Sequence, residues 1–219
     1  MKIPENKTLQ ELFEWRFSRT PDSVAHKFLD RETTYKELNN YSNQVANGLI
    51  ELGCKPDTRI AYYGKNSDFF FEVLIGTLKS NTVTVGVNWR LAPPEVSYVL
   101  NDSESEVLFV GADFYPVIDQ ILEDLPKIKK VVAIDGDHEN YQDYISWRNS
   151  QNSANPEIKS SPNDDILQLY TSGTTGHPKG VQLTNENFAA ANESIDGIVP
   201  FEEGSTNLVC MPGYHVAGT

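Results

Sequence analysis

Between residues 34 and 135 the chain alternates amphipathic segments with short β-branched or apolar runs, and that order restricts the fold to few choices. Thr34 and Glu37 form the T-x-x-E pattern of a capping box, in which two otherwise unpaired backbone N–H groups are satisfied reciprocally. Leu38, Tyr41, Val45, Leu49 and Leu52 then recur at helical spacing until Gly53, a residue suited to the left-handed turn that closes a helix. Arg59 to Tyr63 reads as a strand, Ser67 as the cap of a helix through Leu78, and Thr82 to Val87 as a second strand. Pro93 and Pro94 suit the first turn of a short helix, where the N–H that proline lacks has no partner anyway; strand EVLFV, helix FYPVIDQILEDL and strand VVAID follow. Strands and helices taking turns predict an α/β fold with a largely parallel, helix-covered sheet.

The polar, Pro/Ser/Asn-rich stretch SQNSANPEIKSSPND (150–164) interrupts this order and reads as a linker. It is expected to divide a first subdomain, residues 1–160, from the start of a second, residues 161–219. A chain of 219 residues with 39% hydrophobic content can fill a core. Its net charge of −13 argues against nucleic acid or an anionic membrane as the main partner, because both call for basic patches. The N-terminal MKIPENKTLQELF lacks a signal-peptide apolar run, and FFFEVLIGTL is too short to span a bilayer and carries Glu72, so a soluble cytoplasmic protein with no integral membrane segment is expected. NLVCMP (207–212) reads as an apolar, strand-like run, and Cys54 and Cys210 have no CxxC spacing and read as two buried thiols. His26, His138 and His177 receive no role, and the acidic stretches DSESE and DGDHEN lack the ligand order of an EF-hand and read as turns.

The chemistry concentrates in QLYTSGTTGHPKGVQLT (168–184), between strand candidates DILQLY and GVQLT, with Thr184 or Asn185 capping the helix NENFAAANESI beyond. Lys179 is the only Lys or Arg after residue 160, against seven Asp and Glu in the same stretch. Gly173 and Gly176 allow tight turns and close approach of the backbone to a ligand. Successive N–H groups can form an anion nest, and Thr171, Ser172, Thr174 and Thr175 add hydroxyl donors. Lys179 supplies a point charge. The loop is not a Walker A motif, since Gly180 rather than Ser or Thr follows the lysine and the loop joins strand to strand; G-x-G-x-x-G and G-x-S-x-G are also absent. On composition alone it reads either as this anion cradle or as a solvated Gly/Ser/Thr loop with an incidental lysine.

TSGTTGHPKG resembles, residue for residue, the phosphate-loop signature of the adenylate-forming superfamily, which includes acyl-CoA synthetases, amino-acid adenylation domains and luciferases. TTYKELNN, LKSNTVTVGVNWRLAPPEVSYVL and MPGYHVAG extend the likeness, in the family's order, over nearly the whole chain. The resemblance implies the N-terminal domain of an enzyme that joins a carboxylic acid to ATP with Mg2+, releasing pyrophosphate, and then transfers the acyl group to a thiol, usually that of coenzyme A. It implies that Thr171, Ser172, Gly173, Thr174, Thr175, Gly176 and Lys179 bind ATP and that Thr171 also contacts Mg2+. Amino-acid adenylation domains carry an Asp near the start of the segment matching MPGYHVAG; here it is missing, and Tyr214 and His215 stand as in fatty-acyl and aryl-CoA synthetases. An acyl or aryl acid is therefore favoured, with His215 as a gate or carboxylate-side contact; as a residue on its own, His215 reads equally as a hydrogen-bonded core histidine. Gly213 departs from the family, whose members often hold a larger apolar residue there.

The resemblance also puts the adenine-stacking aromatic, a Mg2+-holding Glu, the ribose-binding Asp, the hinge and a small domain with a catalytic lysine beyond residue 219. No catalytic residue is expected within the chain itself, which is read as an N-terminal fragment, inactive alone, whose partner is the missing C-terminal portion of the same enzyme. Two other readings remain: an amino-acid adenylation module that loads a carrier protein, and a non-catalytic protein that keeps the fold and binds nucleotide.

Overall fold

The computed structural model describes residues 8–171, 177–195 and 204–218. Helix α1 (Leu9–Arg19) starts at Thr8, whose side chain accepts from the Glu11 N–H while Glu11 accepts from the Thr8 N–H. It precedes a small antiparallel hairpin of β1 (Val24–Phe28) and β2 (Arg31–Thr34). Helix α2 (Tyr35–Glu51) opens on the expected Thr34–Glu37 capping box and ends before Gly53 at φ +81°. Strand β3 (Arg59–Tyr63), helix α3 (Asp68–Ser80), strand β4 (Val83–Val87), helix α4 (Pro93–Asp102), strand β5 (Val107–Val110), helix α5 (Tyr115–Ile121) and strand β6 (Lys130–Ala133) follow in the predicted alternation. Among the pieces that went unpredicted are α1, strand β7 (Gln142–Asp143) and helix α6 (Tyr144–Asn149). The first carries the same T-x-x-E signal as α2; the last two are too short for a period to register.

Among the described residues seven strands form the main sheet, in the order β7-β6-β5-β3-β4-β8-β9, where β8 is Asp165–Thr171 and β9 is Lys179–Thr184. Every pairing is parallel except β8 with β9. Alternate strand residues face opposite layers. Ile60, Tyr62, Val107, Phe109 and Val132 pack under α2, α3 and α6, whereas Ala61, Tyr63, Leu108, Val110 and Ala133 pack under α4 and α5. With both faces covered, burying each large apolar side chain stabilises the fold by roughly 1.5–3 kcal/mol relative to exposing it.

The stretch read as a linker lies bound across the helices. Asn43 and Asn47 of α2 donate to the carbonyls of Ser153, Asn152 and Ala154, and Gln10 of α1 donates to that of Ile158. It carries the chain from the β7 edge to β8, which hydrogen-bonds β4 in the same sheet. α3 lies deepest, and its apolar run holds two buried charges. Glu72 pairs with Arg148 of α6 at 2.6 Å and accepts from the Tyr144 hydroxyl at 2.7 Å. Lys79 donates to Asn39 and Asn43, each at 2.5 Å, and burial pulls its pKa down to about 7. A Cβ on Gly76 would lie 2.6 Å from the Cβ of Val45, so glycine is what lets α3 approach α2. Gly76→Ala is therefore expected to destabilise the protein by about 1–3 kcal/mol despite its better helix propensity, read as a lower urea midpoint at unchanged slope.

Two expectations fail in the last described segment. NLVCMP (207–212) forms no strand, and Leu208 is 84% exposed. Cys54 is buried but Cys210 lies exposed on that same segment. No described helix is long and apolar enough to cross a membrane. Both acidic stretches run through turns: Glu104 takes φ 52° between α4 and β5, and Gly136 takes φ 79° after β6. His138 stacks on Tyr141 with 3.8 Å between ring centroids and shares Asp119 with it.

Candidate active site

Strands β3 and β4 are neighbours whose outgoing helices depart to opposite faces: α3 to the α2 side, α4 to the α5 side. The divergence leaves a crevice above the carboxyl ends of the two strands, the place where open α/β sheets bind ligands. Gly64, Lys65 and Asn66 after β3, and Gly86 and Val87 of β4, line it, and Gly213 and Tyr214 fill it down to space for about one water molecule. Asn66 clamps the incoming segment at both ends of its amide: Oδ1 accepts from the Gly213 N–H at 2.9 Å, and Nδ2 donates to the Met211 carbonyl at 2.7 Å.

The close fit depends on two glycines. A Cβ on Gly86 would come within 2.8 Å of the Tyr214 Cα, and one on Gly213 would sit 3.1 Å from the ring of Phe70. Phe70 thus occupies the room that a larger residue at 213 would need, which accounts physically for the departure noted at this position. The Tyr214 hydroxyl accepts from Arg90 Nη1 at 3.1 Å, and its ring meets Trp89 edge-on. Arg90 in turn lies over Trp89, 4.4 Å from the ring centroid. His215 follows on the outer side; its N–H donates to the Pro212 carbonyl. Its side chain is exposed among the described residues.

The second half of the site is the β8–β9 hairpin. Thr171 and Lys179 stand opposite each other in the antiparallel register, both exposed, at the mouth of the loop and at the carboxyl edge of the parallel sheet. Ser172, Gly173, Thr174, Thr175 and Gly176 lie outside the described residues. Thr184 closes the hairpin by capping helix α7 (Asn185–Ile195): its hydroxyl accepts from the Asn187 N–H while Asn187 accepts from the Thr184 N–H. No group of three or more His, Cys, Asp or Glu among the described residues is arranged to hold a metal ion; Thr171 carries a hydroxyl oxygen, a donor type that suits a hard cation.

A sequence model described as AMP-binding enzyme matches residues 13–219. The chain belongs to that family. Fatty acid--[acyl-carrier-protein] ligase ScoC of Streptomyces coeruleorubidus is 36% identical to this AMP-binding chain over 98% of it and 41% of ScoC. Long-chain-fatty-acid--CoA ligase FadD13 of Mycobacterium tuberculosis is 35% identical over 86% of it and 37% of FadD13. The chain therefore spans about two fifths of the length of these curated relatives. Among solved structures, the inhibitor-bound N-terminal domain of FACL13 from Mycobacterium tuberculosis matches with a TM-score of 0.87 at 30% identity, covering 97% of this chain and 53% of that one. The anthranilate CoA ligase AuaEII in complex with anthranoyl-AMP matches with a TM-score of 0.81 at 28% identity, covering 88% and 38%.

Five residues that shape this candidate site carried no role on sequence grounds: Asn66, Phe70, Gly86, Trp89 and Arg90. Trp89 and Arg90 lie inside the family-like NWRL stretch and could have been singled out there. Asn66 follows an ordinary strand, and no local pattern marks it.

Proposed function

We propose that the chain is the N-terminal, nucleotide-binding part of a cytoplasmic ATP-dependent acyl- or aryl-CoA ligase. A carboxylate oxygen attacks the α-phosphorus of ATP, the bond to the bridging oxygen breaks and pyrophosphate leaves; a thiol sulfur then attacks the acyl carbon and AMP departs. Mg2+ supplies charge neutralisation on the phosphates. Lys179 adds a cation to the β- and γ-phosphates, the Thr171 hydroxyl offers an oxygen ligand to the metal, and Ser172, Gly173, Thr174, Thr175 and Gly176 line the polyphosphate with N–H and hydroxyl donors. Tyr214 and His215 face the acid. In this reading residues 161–219 begin a second subdomain whose first two strands extend the sheet of residues 1–160.

The observation that carries the proposal is the pairing of Thr171 with Lys179 at the carboxyl edge of the sheet that also holds the β3–β4 crevice. The Tyr214–His215 pair, together with the absence of an Asp near the start of MPGYHVAG, supports an acyl or aryl acid over an amino acid. The 219 residues alone are expected to show no acid-dependent ATP–pyrophosphate exchange above background, and the intact ligase to show it with fatty or aryl acids. Robust exchange by the isolated chain would refute the division of labour proposed here. The relationship to ScoC favours a second reading in which the acceptor is the thiol of an acyl carrier protein. Thioester formation measured with coenzyme A and with a phosphopantetheinylated carrier protein decides between them.

A further inference from the structure

One helix grips both arms of the phosphate loop. Tyr98 and Asp102 lie four residues apart on α4 and so share a face. On the Lys179 arm, the Tyr98 hydroxyl donates to the Pro178 carbonyl at 3.2 Å, with Asp102 Oδ1 of its own helix as the farther acceptor at 3.4 Å, and the His177 ring stacks on the Tyr98 ring at 5.1 Å and 25°. On the Thr171 arm, the Tyr170 hydroxyl donates to Asp102 Oδ2 at 2.7 Å. Gln168 donates to that Tyr170 oxygen at 3.1 Å and is itself held by Arg59 at 3.0 Å. Burial and the Asp102 carboxylate push both phenols up, so each keeps the proton it donates.

The Pro178 carbonyl matters because it shares a planar peptide unit with the N–H of Lys179. Pinning that oxygen sets the direction in which the Lys179 backbone leaves the loop. Helix α4 is packed into the core through Val96, Val99 and Leu100 and so offers a fixed anchor for that peptide unit.

We infer that Tyr98 and Asp102 are positioning residues of the adenylation step: α4 holds the two arms of the loop and aims Lys179 at the polyphosphate. This rests on the phosphate-loop reading proposed above. The test is Tyr98→Phe, Tyr98→Leu and Asp102→Asn in the intact ligase, with Lys179→Ala alongside, assayed by ATP–pyrophosphate exchange with KM for ATP and for the acid measured separately. Tyr98→Phe keeps the ring on His177 and loses the bond to Pro178, so KM for ATP is expected to rise about three- to tenfold, with KM for the acid unchanged. Tyr98→Leu loses the stack as well and is expected to raise KM for ATP about tenfold or more. Histidine-selective NMR of the same proteins should show the His177 ring resonances unmoved by Tyr98→Phe and shifted by Tyr98→Leu. Asp102→Asn alters an exposed residue and keeps the question answerable if the Tyr98 variants fail to fold; its KM for ATP is expected to rise about threefold. KM for ATP within about twofold of the parent in every folded variant, with Lys179→Ala inactive, overturns the positioning role and leaves the loop reading standing. Equal rises in both KM values, or His177 resonances indifferent to Tyr98→Leu, also overturn it. If Lys179→Ala is fully active, the loop reading falls and this inference with it.

Discussion

Lys179→Ala in the intact ligase is expected to lower the rate of acyl-adenylate formation by about a hundredfold or more, the effect of removing one preorganised donor worth about 2.7–4 kcal/mol in a charge-stabilising site. Two anions meet when a carboxylate approaches ATP, and the barrier is set by how much negative charge the site has already neutralised. Lys179 is the only Lys or Arg after residue 160, so no neighbour in that stretch can substitute for it. Its side chain is exposed at the first position of β9, and its loss should change folding stability by no more than about 0.5 kcal/mol. ATP–pyrophosphate exchange together with a thermal melt separates the two effects. Unaltered kinetics would take Lys179 out of the reaction.

Arg148→Ala is expected to cost about 3–5 kcal/mol of stability, the largest folding effect of any single change considered, because it strands the buried carboxylate of Glu72 without its partner. Glu72 is 1% exposed in the middle of α3 and is reached by the guanidinium of Arg148 and the hydroxyl of Tyr144. Arg148 also lies 3.8 Å over the ring of Tyr41, so truncation removes packing between α6 and α2. In a domain of this size such a loss corresponds to a fall in melting temperature of about 6–20 °C. Burial already raises the Glu72 pKa against the opposing pull of Arg148; without the guanidinium that rise is larger. The neutral acid tolerates burial, so the variant fares best below the ordinary carboxylate range and loses stability as pH climbs through the raised folded-state value. A deficit that does not grow with pH would show that packing, rather than stranded charge, causes the loss.

How much of this was legible beforehand differs by element. Capping boxes, apolar periods and the proline pair at 93 and 94 located α2, α3, α4 and the strands between them, because each signal acts over a few residues and is written where it acts. The same reasoning misread NLVCMP: an apolar run indicates a surface that needs covering, but a strand also requires a neighbour to hydrogen-bond, and these residues have none in the sheet. Cys210 was misread with it. In the candidate site, residue type and order singled out Thr171 and Lys179, which the hairpin register sets opposite each other, whereas Asn66 is an ordinary loop residue until Gly213 arrives 147 positions later.

The amino-acid order by itself determined the α/β class, the sequence of elements and the glycine- and hydroxyl-rich loop with its solitary cation, all of which follow from short-range backbone sterics, side-chain periodicity and residue chemistry. Tertiary structure alone decided that β8 pairs with β4, that Tyr214 seats over Gly86, and that Tyr98 reaches a proline carbonyl 80 residues away. Apolar burial is non-directional and rewards many strand orders almost equally. Only the simultaneous packing of both sheet faces selects one order, and with it the long-range neighbours that build a site.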